Sequence, residues 1–424
     1  MKIFCSGIGG IGLSAYAAYQ KASGHEVIGS DREENALISD LRKQGIPIAI
    51  GQDGSAIPKD TDLFVHTLAL PKSHPELIIA VECGIPCMTY FQALGALTKS
   101  HMVIAVAGTH GKSSTTAMAA KVLIDSDLHP SVILGTKTAD LGGRNWLKGD
   151  GDLFLVEACE YYRSFLHLAP TVLLVTNVTG DHFDAYRDME DYRSAFRELI
   201  GKLPVNGALI THCSDAACAE LTRNAPCSVI DADTFPLEPL LVPGKHMQKN
   251  AQLVLGLASH LRIRTAERSL HTYNGCWRRS EIKGKSAAGA LIIDDYGHHP
   301  NEIKTTLEGI RDAYRGKRLI CVLQPHTHDR VLKLYHEFTQ ALGAADLVII
   351  PNIFEARSDR DSAKADPRKL AEDIAIGSSV ETHYAESIEN AELMLKEIVK
   401  ANDVIVTMGA GDVWKIADRL VART

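Results

Sequence analysis

The sequence predicts an α/β protein built mainly from parallel sheets. The first observation behind this prediction is that short apolar runs alternate with helical patterns along almost the whole chain, which is typical of βαβ units. The second is that several runs end in Gly, Asp, Asn or His, and ligands of open α/β sheets bind beyond such carboxyl ends. The runs predicted as strands are KIFCSGIG, EVIGSD, DLFVHT, HMVIAVAG, DLFLVEAC, TVLLVTNV, GALITHC, ALIIDDYG, RLICVLQP, DLVIIPN and DVIVTMGAG.

The length of 424 residues exceeds what one hydrophobic core usually organises, so we expect several domains. A first domain, 1–98, holds a glycine-rich turn near its start. A second, 99–282, opens with a fresh strand and a second glycine-rich turn. A third, 283–424, follows the segment YNGCWRRSEIKG and opens with the strand ALIIDDYG.

Composition and charge narrow the classes of function. The chain is 45% hydrophobic and 23% charged, as globular soluble proteins are. A net charge of −7 argues against a general nucleic-acid binder. Runs of about 18 apolar residues, which a membrane span needs, do not occur. The nine cysteines are scattered, odd in number and without a C-x-x-C pair, which favours reduced thiols in a cytoplasmic protein.

The first glycine-rich turn is Gly7-Ile8-Gly9-Gly10-Ile11-Gly12, between a predicted strand at 2–6 and an apolar helix. An acidic residue, Asp31, ends the next strand. This is the dinucleotide-binding pattern in its expected context, with a pyrophosphate held at a helix N-terminus. It is compatible with a nicotinamide dehydrogenase and with a protein that binds another diphosphate, because Asp31 can reach a sugar hydroxyl in both.

The second turn lies in AVAGTHGKSSTTAMAAKVL, residues 105–123. A strand leads into GTHGKSS (108–114) and a helix follows, so this stretch predicts a phosphate-binding loop. Lys112 would neutralise the β- and γ-phosphates and Ser113 would contribute a hydroxyl to Mg²⁺. The strict pattern has Gly where this chain has Val106, and an ordinary tight turn is the alternative. Gly-Lys-Ser directly between a buried strand and a helix disfavours that alternative.

Carboxylates and a histidine follow the next two predicted strands. Glu157 ends the strand DLFLVE, and Glu160 comes one short turn later. A phosphate-binding loop needs a carboxylate near its metal ion, and Glu157 is well placed for this role, with a solvated loop carboxylate as the alternative. The strand TVLLVTN leads to Asn177, Asp181 and His182. A histidine beside Asp at a strand end, in a chain with a phosphate-binding loop, favours a metal or phosphate role.

The segments GTHGKSSTT, VEACEYYRSF, TNVTGDHFD, VPGKHMQKNA, WRRSE, DDYGHHPNEI, QPHTHDR and TMGAGDV occur in this order. Together they resemble the Mur ligases, ADP-forming amide-bond ligases of peptidoglycan precursor synthesis, over nearly the whole chain. The resemblance implies a Rossmann-like UDP-binding domain, a central P-loop ATPase domain and a C-terminal Rossmann-like domain. It also implies that the first glycine turn holds the diphosphate of a UDP-sugar.

The implied reaction joins an amino acid to the muramoyl carboxylate of UDP-N-acetylmuramate through an acyl phosphate. L-Alanine is the amino acid that the resemblance favours. The implied cofactors are ATP and two Mg²⁺ ions. No nucleic acid or membrane partner is expected, and we expect a monomer or weak homodimer in the cytoplasm.

The resemblance also implies roles for individual residues. The catalytic residues are Lys112, Glu157, His182, Arg279 and His298. The ATP-binding residues are Gly108, Thr109, His110, Gly111, Lys112, Ser113, Ser114, Asn250 and Asp295. The UDP-sugar-binding residues are Gly9, Gly10, Ile11, Gly12 and Asp31. The amino acid would be bound by His298, His326 and Arg330, and the metal ligands are Ser113, Glu157 and His182.

The chain departs from the family pattern at several positions. Thr327 and His328 replace the usual Arg and Tyr after QPH, Thr179 replaces Glu, Cys159 replaces Asp, and Met247 replaces Asn. The nucleotide residues survive these changes, whereas the choice of amino acid is put in doubt.

Four alternatives remain at this stage. The first is a ligase that attaches a whole tripeptide in murein recycling, and QPH-x-x-x-R favours a single amino acid instead. The second is a non-catalytic protein that binds a UDP-sugar or nucleotide, which would not need Lys112, Ser113, Glu157 and His182 together. The third is a dehydrogenase, which has no use for a phosphate-binding loop. The fourth is a zinc site in the HH and HTH histidines, which no Cys or Glu at ligand spacing supports.

Overall fold

The computed structural model describes residues 1–180, 185–237, 240–355 and 363–422, and its strands form three sheets. All eleven runs predicted as strands from the sequence are strands. The α/β class with mainly parallel sheets is confirmed. Among the described helices, none is both long and apolar enough to cross a membrane.

The first sheet is parallel, with the strand order β3-β2-β1-β4-β5. Its strands are β1 (Lys2–Ser6), β2 (Glu26–Asp31), β3 (Ile48–Ile50), β4 (Leu63–His66) and β5 (Cys87–Thr89), and its helices are α1 (Ile11–Ala22), α2 (Ala36–Lys43), α3 (Pro75–Glu82) and α4 (Tyr90–Thr98). The chain leaves β1 to β2 on one side and continues to β4 on the other. The first glycine turn, which follows β1, therefore lies at the point where the strand order reverses, the usual ligand crevice of such sheets.

The second sheet has the order β12-β11-β10-β6-β9-β7-β8, and only the β7–β8 pair among its described strands is antiparallel. Its strands are β6 (Met102–Ala107), β7 (Ser131–Thr138), β8 (Arg144–Leu147), β9 (Leu153–Glu157), β10 (Val172–Val175), β11 (Ala208–Thr211) and β12 (Ser228–Asp231). The helices along this part of the chain are α5 (Lys112–Asp125), α6 (Met189–Ile200), α7 (Ala216–Thr222), α8 (Lys245–Leu261) and α9 (Ala266–His271), with short 3₁₀ segments at Ala139–Leu141, Tyr161–His167 and Ala232–Thr234. Central β6 is flanked by β9 and β10, so the ends of all three strands converge on the second glycine turn.

The third sheet has the order β13-β14-β18-β15-β16-β17, with β13 antiparallel to β14. Its strands are β13 (Glu281–Lys285), β14 (Leu291–Asp295), β15 (Leu319–Leu323), β16 (Leu347–Ile350), β17 (Glu381–Tyr384) and β18 (Val404–Met408). Its helices are α10 (Pro300–Ala313), α11 (His328–Lys333), α12 (Tyr335–Gln340), α13 (Pro367–Gly377), α14 (Ile388–Ile398) and α15 (Trp414–Leu420).

The chain divides into two compact units. One comprises residues 1–238 and 249–271 and holds the first two sheets, and the other comprises 239–248 and 272–424 and holds the third. The domain boundaries expected after residues 98 and 282 stay predictions.

Within the first unit, the first two sheets share an apolar core. The ring of Tyr19 on α1 lies 5.5 Å from that of Phe154 on β9, and its hydroxyl is 3.1 Å from Oγ of Ser131 at the start of β7. At the rim, Nζ of Lys137 lies 2.9 Å from Oδ2 of Asp40 on α2. These contacts join the first two sheets within this unit.

Candidate nucleotide and diphosphate site

The second glycine turn has a backbone that only glycine adopts readily. Gly108 and Gly111 have φ of +135° and +83°, and Gly111 is the left-handed residue directly before α5. A Cβ on Gly108 would collide with the Thr176 hydroxyl, and one on Gly111 would lie 2.7 Å from Oδ1 of Asn250. Asn250, predicted near the nucleotide, therefore lies beside the turn.

The end of β10 clamps this turn. The amide of Thr109 donates to the carbonyl of Asn177 at 3.0 Å, and the Asn177 side chain bonds both the amide and the carbonyl of His110, at 3.1 and 3.0 Å. The hydroxyl of Thr109 donates to the carbonyl of Thr179 at 2.8 Å. Because the first amides of a helix have no intrahelical acceptors, those that open α5 form a fixed anion-binding site.

Lys112 occupies the centre of this site, with its side chain 14% exposed. Its ammonium donates to the carbonyls of Gly108 and Thr109, at 2.6 and 2.8 Å, and to Oε1 of Glu160 at 2.9 Å. Burial lowers the pKa of Lys112, but the negative charges of Glu160 and Glu157 raise it by more, so the net pKa lies above the ordinary value. The lysine therefore stays cationic.

Glu157 and Ser113 form an oxygen-rich pair at the start of α5. The Ser113 hydroxyl donates to Oε1 of Glu157 at 3.0 Å, and the amide of Gly135 on β7 donates to Oε2 at 2.9 Å. A carboxylate beside a hydroxyl is the donor set that Mg²⁺ prefers, so these residues fit the predicted metal role. The third predicted ligand, His182, lies outside the described residues, as does Asp181.

The first glycine turn is braced by its neighbours. Oδ2 of Asp31 accepts the backbone amide of Gly9 at 2.7 Å, and Nδ2 of the Asn35 side chain donates to the carbonyl of Gly9 at 3.3 Å. Gly10 precedes α1 and provides no side-chain cap for the first amides of this helix. Asp31 thus holds the turn in shape, and its predicted contact with a sugar hydroxyl stays a prediction.

The β7–β8 hairpin connects the two turns. Gly135 on β7 binds Glu157, as described, while Nδ2 of Asn145 on β8 donates to the carbonyl of Ile11 at 2.7 Å. Tyr90, the first residue of α4, packs its ring against Gly12, and a Cβ there would lie 2.8 Å from the ring. Sequence reasoning missed Asn145 and Tyr90, because neither belongs to a local pattern and both act through contacts distant in sequence.

In the second unit, Asp295 and Arg279 lie around Tyr296. Asp295 ends β14 and accepts the amides of Ser280 and Gly297, each at 2.7 Å. The guanidinium groups of Arg278 and Arg279 each lie 4.9 Å from the centre of the Tyr296 ring. Arg278 is buried and donates to the carbonyl of Gly409, so it supports the loops at the carboxyl edge of this sheet.

The three residues predicted to bind the amino acid lie together in the same unit. The rings of His298 and His326 are 6.1 Å apart, and Nη1 of Arg330 is 3.4 Å from Nδ1 of His326. The His326 ring stacks on Phe354 at 5.2 Å. Burial lowers the pKa of His298, which therefore favours its neutral form.

The other two histidines of the proposed zinc site, His299 and His328, accept hydrogen bonds from backbone amides. Nδ1 of His299 accepts the amide of Asn301 at the start of α10, and Nδ1 of His328 accepts the amide of Ala365 at 3.0 Å. Over the part of the chain that the structure describes, no group of three His, Cys, Asp or Glu side chains is arranged to hold a metal ion.

The lysine and carboxylate of the second glycine turn, the first glycine turn and the three α/β sheets are the arrangement that the sequence predicts for an ADP-forming ligase. Three family models match the chain: the Mur ligase family catalytic domain at residues 2–102, the Mur ligase middle domain at 106–238, and the Mur ligase glutamate ligase domain at 278–411. The chain belongs to the Mur ligase family, as the order of its motifs predicts.

Full-length relatives agree with this assignment. The UDP-N-acetylmuramate–L-alanine ligase of Clostridium novyi is 34% identical over 98% of this chain and 96% of its own length. The ligase of the same name from Desulfitobacterium hafniense is 34% identical over 99% of each chain.

Solved structures agree as well. The UDP-N-acetylmuramate–alanine ligase of Thermotoga maritima has a TM-score of 0.83 at 27% identity and covers 99% of this chain and 98% of its own. A murein peptide ligase of Psychrobacter arcticus has a TM-score of 0.69 at 22% identity over 99% of this chain and 98% of its own, which shows a shared fold.

Proposed function

We propose that this protein joins L-alanine to the muramoyl carboxylate of UDP-N-acetylmuramate and converts ATP to ADP and phosphate. The observation that carries this proposal is the β7–β8 hairpin. Its Gly135 donates to Glu157 beside the second glycine turn, and its Asn145 donates to Ile11 in the first glycine turn. A UDP-sugar and ATP held on these two turns would meet across one hairpin. The names of the relatives that are 34% identical over their full length support the same substrates.

The chemistry requires activation of a carboxylate, which is a poor electrophile. Transfer of the γ-phosphate to it gives an acyl phosphate, and attack by the amino group of the amino acid releases phosphate. Lys112 would hold the β- and γ-phosphates and neutralise charge as it develops. Ser113, Glu157 and His182 would hold Mg²⁺, which supplies Lewis-acid stabilisation of the phosphates. The contacts with Asn177 hold the turn in place, so that the first amides of α5 would face the same phosphate oxygens.

The third domain would present the amino acid. Arg330 would bind its carboxylate through a charge-assisted pair, while His326 and His298 line the same place. Asp295 would bind the ribose of ATP and Arg279 would reach the phosphates. The finer expectations are also proposals: two Mg²⁺ ions, a monomer or weak homodimer, and a cytoplasmic location without nucleic-acid or membrane partners.

The test measures phosphate release from the purified protein with ATP, Mg²⁺, UDP-N-acetylmuramate and each amino acid in turn. We expect release with L-alanine, and its loss in Lys112→Ala but not in Lys148→Ala, which removes an exposed lysine outside the site. Release only with the tripeptide L-alanyl-γ-D-glutamyl-diaminopimelate would instead assign the recycling reaction. Silence with every acceptor, with nucleotide binding intact, would assign a binding protein.

A further inference from the structure

The three protons of the Lys112 ammonium are all donated to protein acceptors. A lysine ammonium has three hydrogens, and here they go to the carbonyls of Gly108 and Thr109 and to the carboxylate of Glu160. A phosphate oxygen can bind this lysine through a hydrogen bond only if one of the three acceptors gives way. Which one does so determines what nucleotide binding requires.

The two carbonyls are poorly placed to move. Gly108 packs against Thr176, and Thr109 is bonded to both Asn177 and Thr179 at the end of β10. Moving either carbonyl would disturb these contacts of the turn with the residues after β10. Glu160 is different, because it reaches the lysine through a side chain with rotatable bonds, and it is an anion like the phosphate that would replace it.

Glu160 itself is held in a constrained segment. Its side chain is fully buried, and its carbonyl accepts the Tyr186 hydroxyl and the amide of Arg163. Tyr162 and Arg163 have left-handed φ of +49° and +56°, and the Arg163 guanidinium is anchored to Asp191 at 2.6 Å. Two consecutive non-glycine residues in this conformation cost free energy, which the surrounding contacts offset. The constrained backbone of this turn therefore holds the Glu160 carboxylate beside Lys112.

We propose that Glu160 is a positioning residue that competes with the nucleotide phosphates for Lys112. Its carboxylate neutralises and orients the Lys112 ammonium. When nucleotide binds, a phosphate oxygen replaces this carboxylate as the acceptor of the same hydrogen bond. This inference rests on the proposed ATP site.

The exchange has a definite cost. A buried ammonium needs a counter-charge, which Glu160 supplies at 2.9 Å. After the exchange, the buried Glu160 carboxylate has lost its bond to Lys112 and faces an incoming anion, and like-charge repulsion opposes nucleotide binding. Glu160 thus lowers nucleotide affinity in return for a preorganised lysine, and ADP leaves more readily.

The test measures the affinity for ADP of wild type and of Glu160→Gln by isothermal titration calorimetry, at pH 7.0 in the presence of EDTA. Glutamine keeps the shape and removes the charge. We expect ADP to bind Glu160→Gln about tenfold more tightly, the change that ~1.4 kcal/mol of binding free energy produces. General damage to the site weakens binding, so tighter binding separates competition from a purely structural role.

Two further variants complete the experiment. Glu198→Gln removes an exposed carboxylate that pairs with Arg163 on the same turn, and its ADP affinity should equal that of wild type. Glu160→Asp keeps the charge but draws it back by one methylene, so it should bind ADP with intermediate affinity, and it decides the matter if Glu160→Gln does not fold. Unchanged or weaker ADP binding in the Glu160 variants overturns the competition. Failure of wild type itself to bind ADP overturns the proposed nucleotide site instead.

Discussion

The hydroxyl of Ser113 lies 3.0 Å from Oε1 of Glu157 and joins the first turn of α5 to the end of β9. The other oxygen of Glu157 is bonded to the amide of Gly135, so the carboxylate is held from two sides. An acceptor oriented in this way presents its remaining lone pairs in one direction. The pair therefore supplies both a hydroxyl and an anion at the place where the phosphates would meet a divalent cation.

Glu157→Gln should retain the fold and lose the reaction. Glutamine still accepts one hydrogen bond but carries no charge, so the bound cation loses an anionic ligand. Since metal stabilisation of a phosphoryl transition state is worth several kcal/mol, phosphate release should fall by about 100-fold or more.

Binding of Mn²⁺ in the presence of ADP, followed by electron paramagnetic resonance, should weaken in parallel. Glu82→Gln, at an exposed position on α3, serves as control and should match wild type. Wild-type Mn²⁺ affinity in Glu157→Gln would contradict the assignment of this carboxylate to the metal.

Gly111→Ala should abolish nucleotide binding in a folded protein. A non-glycine residue in the left-handed region costs about 1–2 kcal/mol, and the added Cβ would also lie 2.7 Å from Oδ1 of Asn250. The matched control is Gly143→Ala, in the same unit, where φ is +75° and nothing lies within 4 Å of the added Cβ.

Both variants carry similar backbone strain, so chemical denaturation should show both to be less stable than wild type, with Gly111→Ala the less stable of the two. Only Gly111→Ala should lose ADP binding. Equal ADP affinity in the two variants would mean that the turn tolerates a side chain and does not bind the phosphates closely.

Most of the strands that the sequence does not predict lie at the edges of the sheets. The sequence predicts none of the six strands at the described sheet edges, namely β3, β5, β8, β12, β13 and β17, and it also does not predict the inner strand β7. An edge strand pairs on one side only and stays half exposed, so it needs no continuous apolar run: β17 reads ETHY and β13 reads EIKGK. Central strands such as β6 are buried on both faces, and their apolar runs identify them.

The site divides in the same way between local and distant information. Lys112 and Ser113 are recognisable because the loop, its strand and its helix are contiguous in sequence. The bond from Asn145 to Ile11 joins residues 134 positions apart, and no local pattern encodes it. The sequence places Glu160 close to Glu157, but the pairing of Glu160 with Lys112 depends on the left-handed turn that follows it.

Arg330→Gln should impair the use of the amino acid and spare ATP. The guanidinium lies beside His326, and a charge-assisted hydrogen bond is worth about 1.5–3 kcal/mol. The KM for L-alanine should therefore rise by about 10- to 100-fold while the KM for ATP stays unchanged.

Arg315→Gln removes an arginine with a side chain 82% exposed and should leave both constants unchanged. A rise in the KM for ATP alone in Arg330→Gln would move this arginine from the amino acid to the nucleotide.

Asp294 should make the stability of the second unit fall as pH rises through weakly acidic values. The side chain is buried beside Arg278, and burial raises the pKa of Asp294 to about 7, against the lowering effects of Arg278 and Thr407. In the unfolded chain this carboxyl loses its proton near its ordinary pKa of 3.8. Between these values the native state binds more protons than the unfolded state, so this group's contribution is complete below pH 4 and lost by about pH 7.

The measurement compares the unfolding free energy of wild type and Asp294→Asn across pH 4 to 8. From pH 4 to pH 8, the unfolding free energy of wild type should fall relative to that of Asp294→Asn by up to about 4 kcal/mol, because each pKa unit corresponds to about 1.36 kcal/mol. Asp346→Asn provides a control of opposite sign: burial raises the pKa of Asp346, but hydrogen bonds from Arg311 and the Leu319 amide lower it by more. The benefit of Asp346 should be lost as pH falls below about 4. A pH-independent difference between wild type and Asp294→Asn would mean that Arg278 keeps the buried carboxylate ionised throughout.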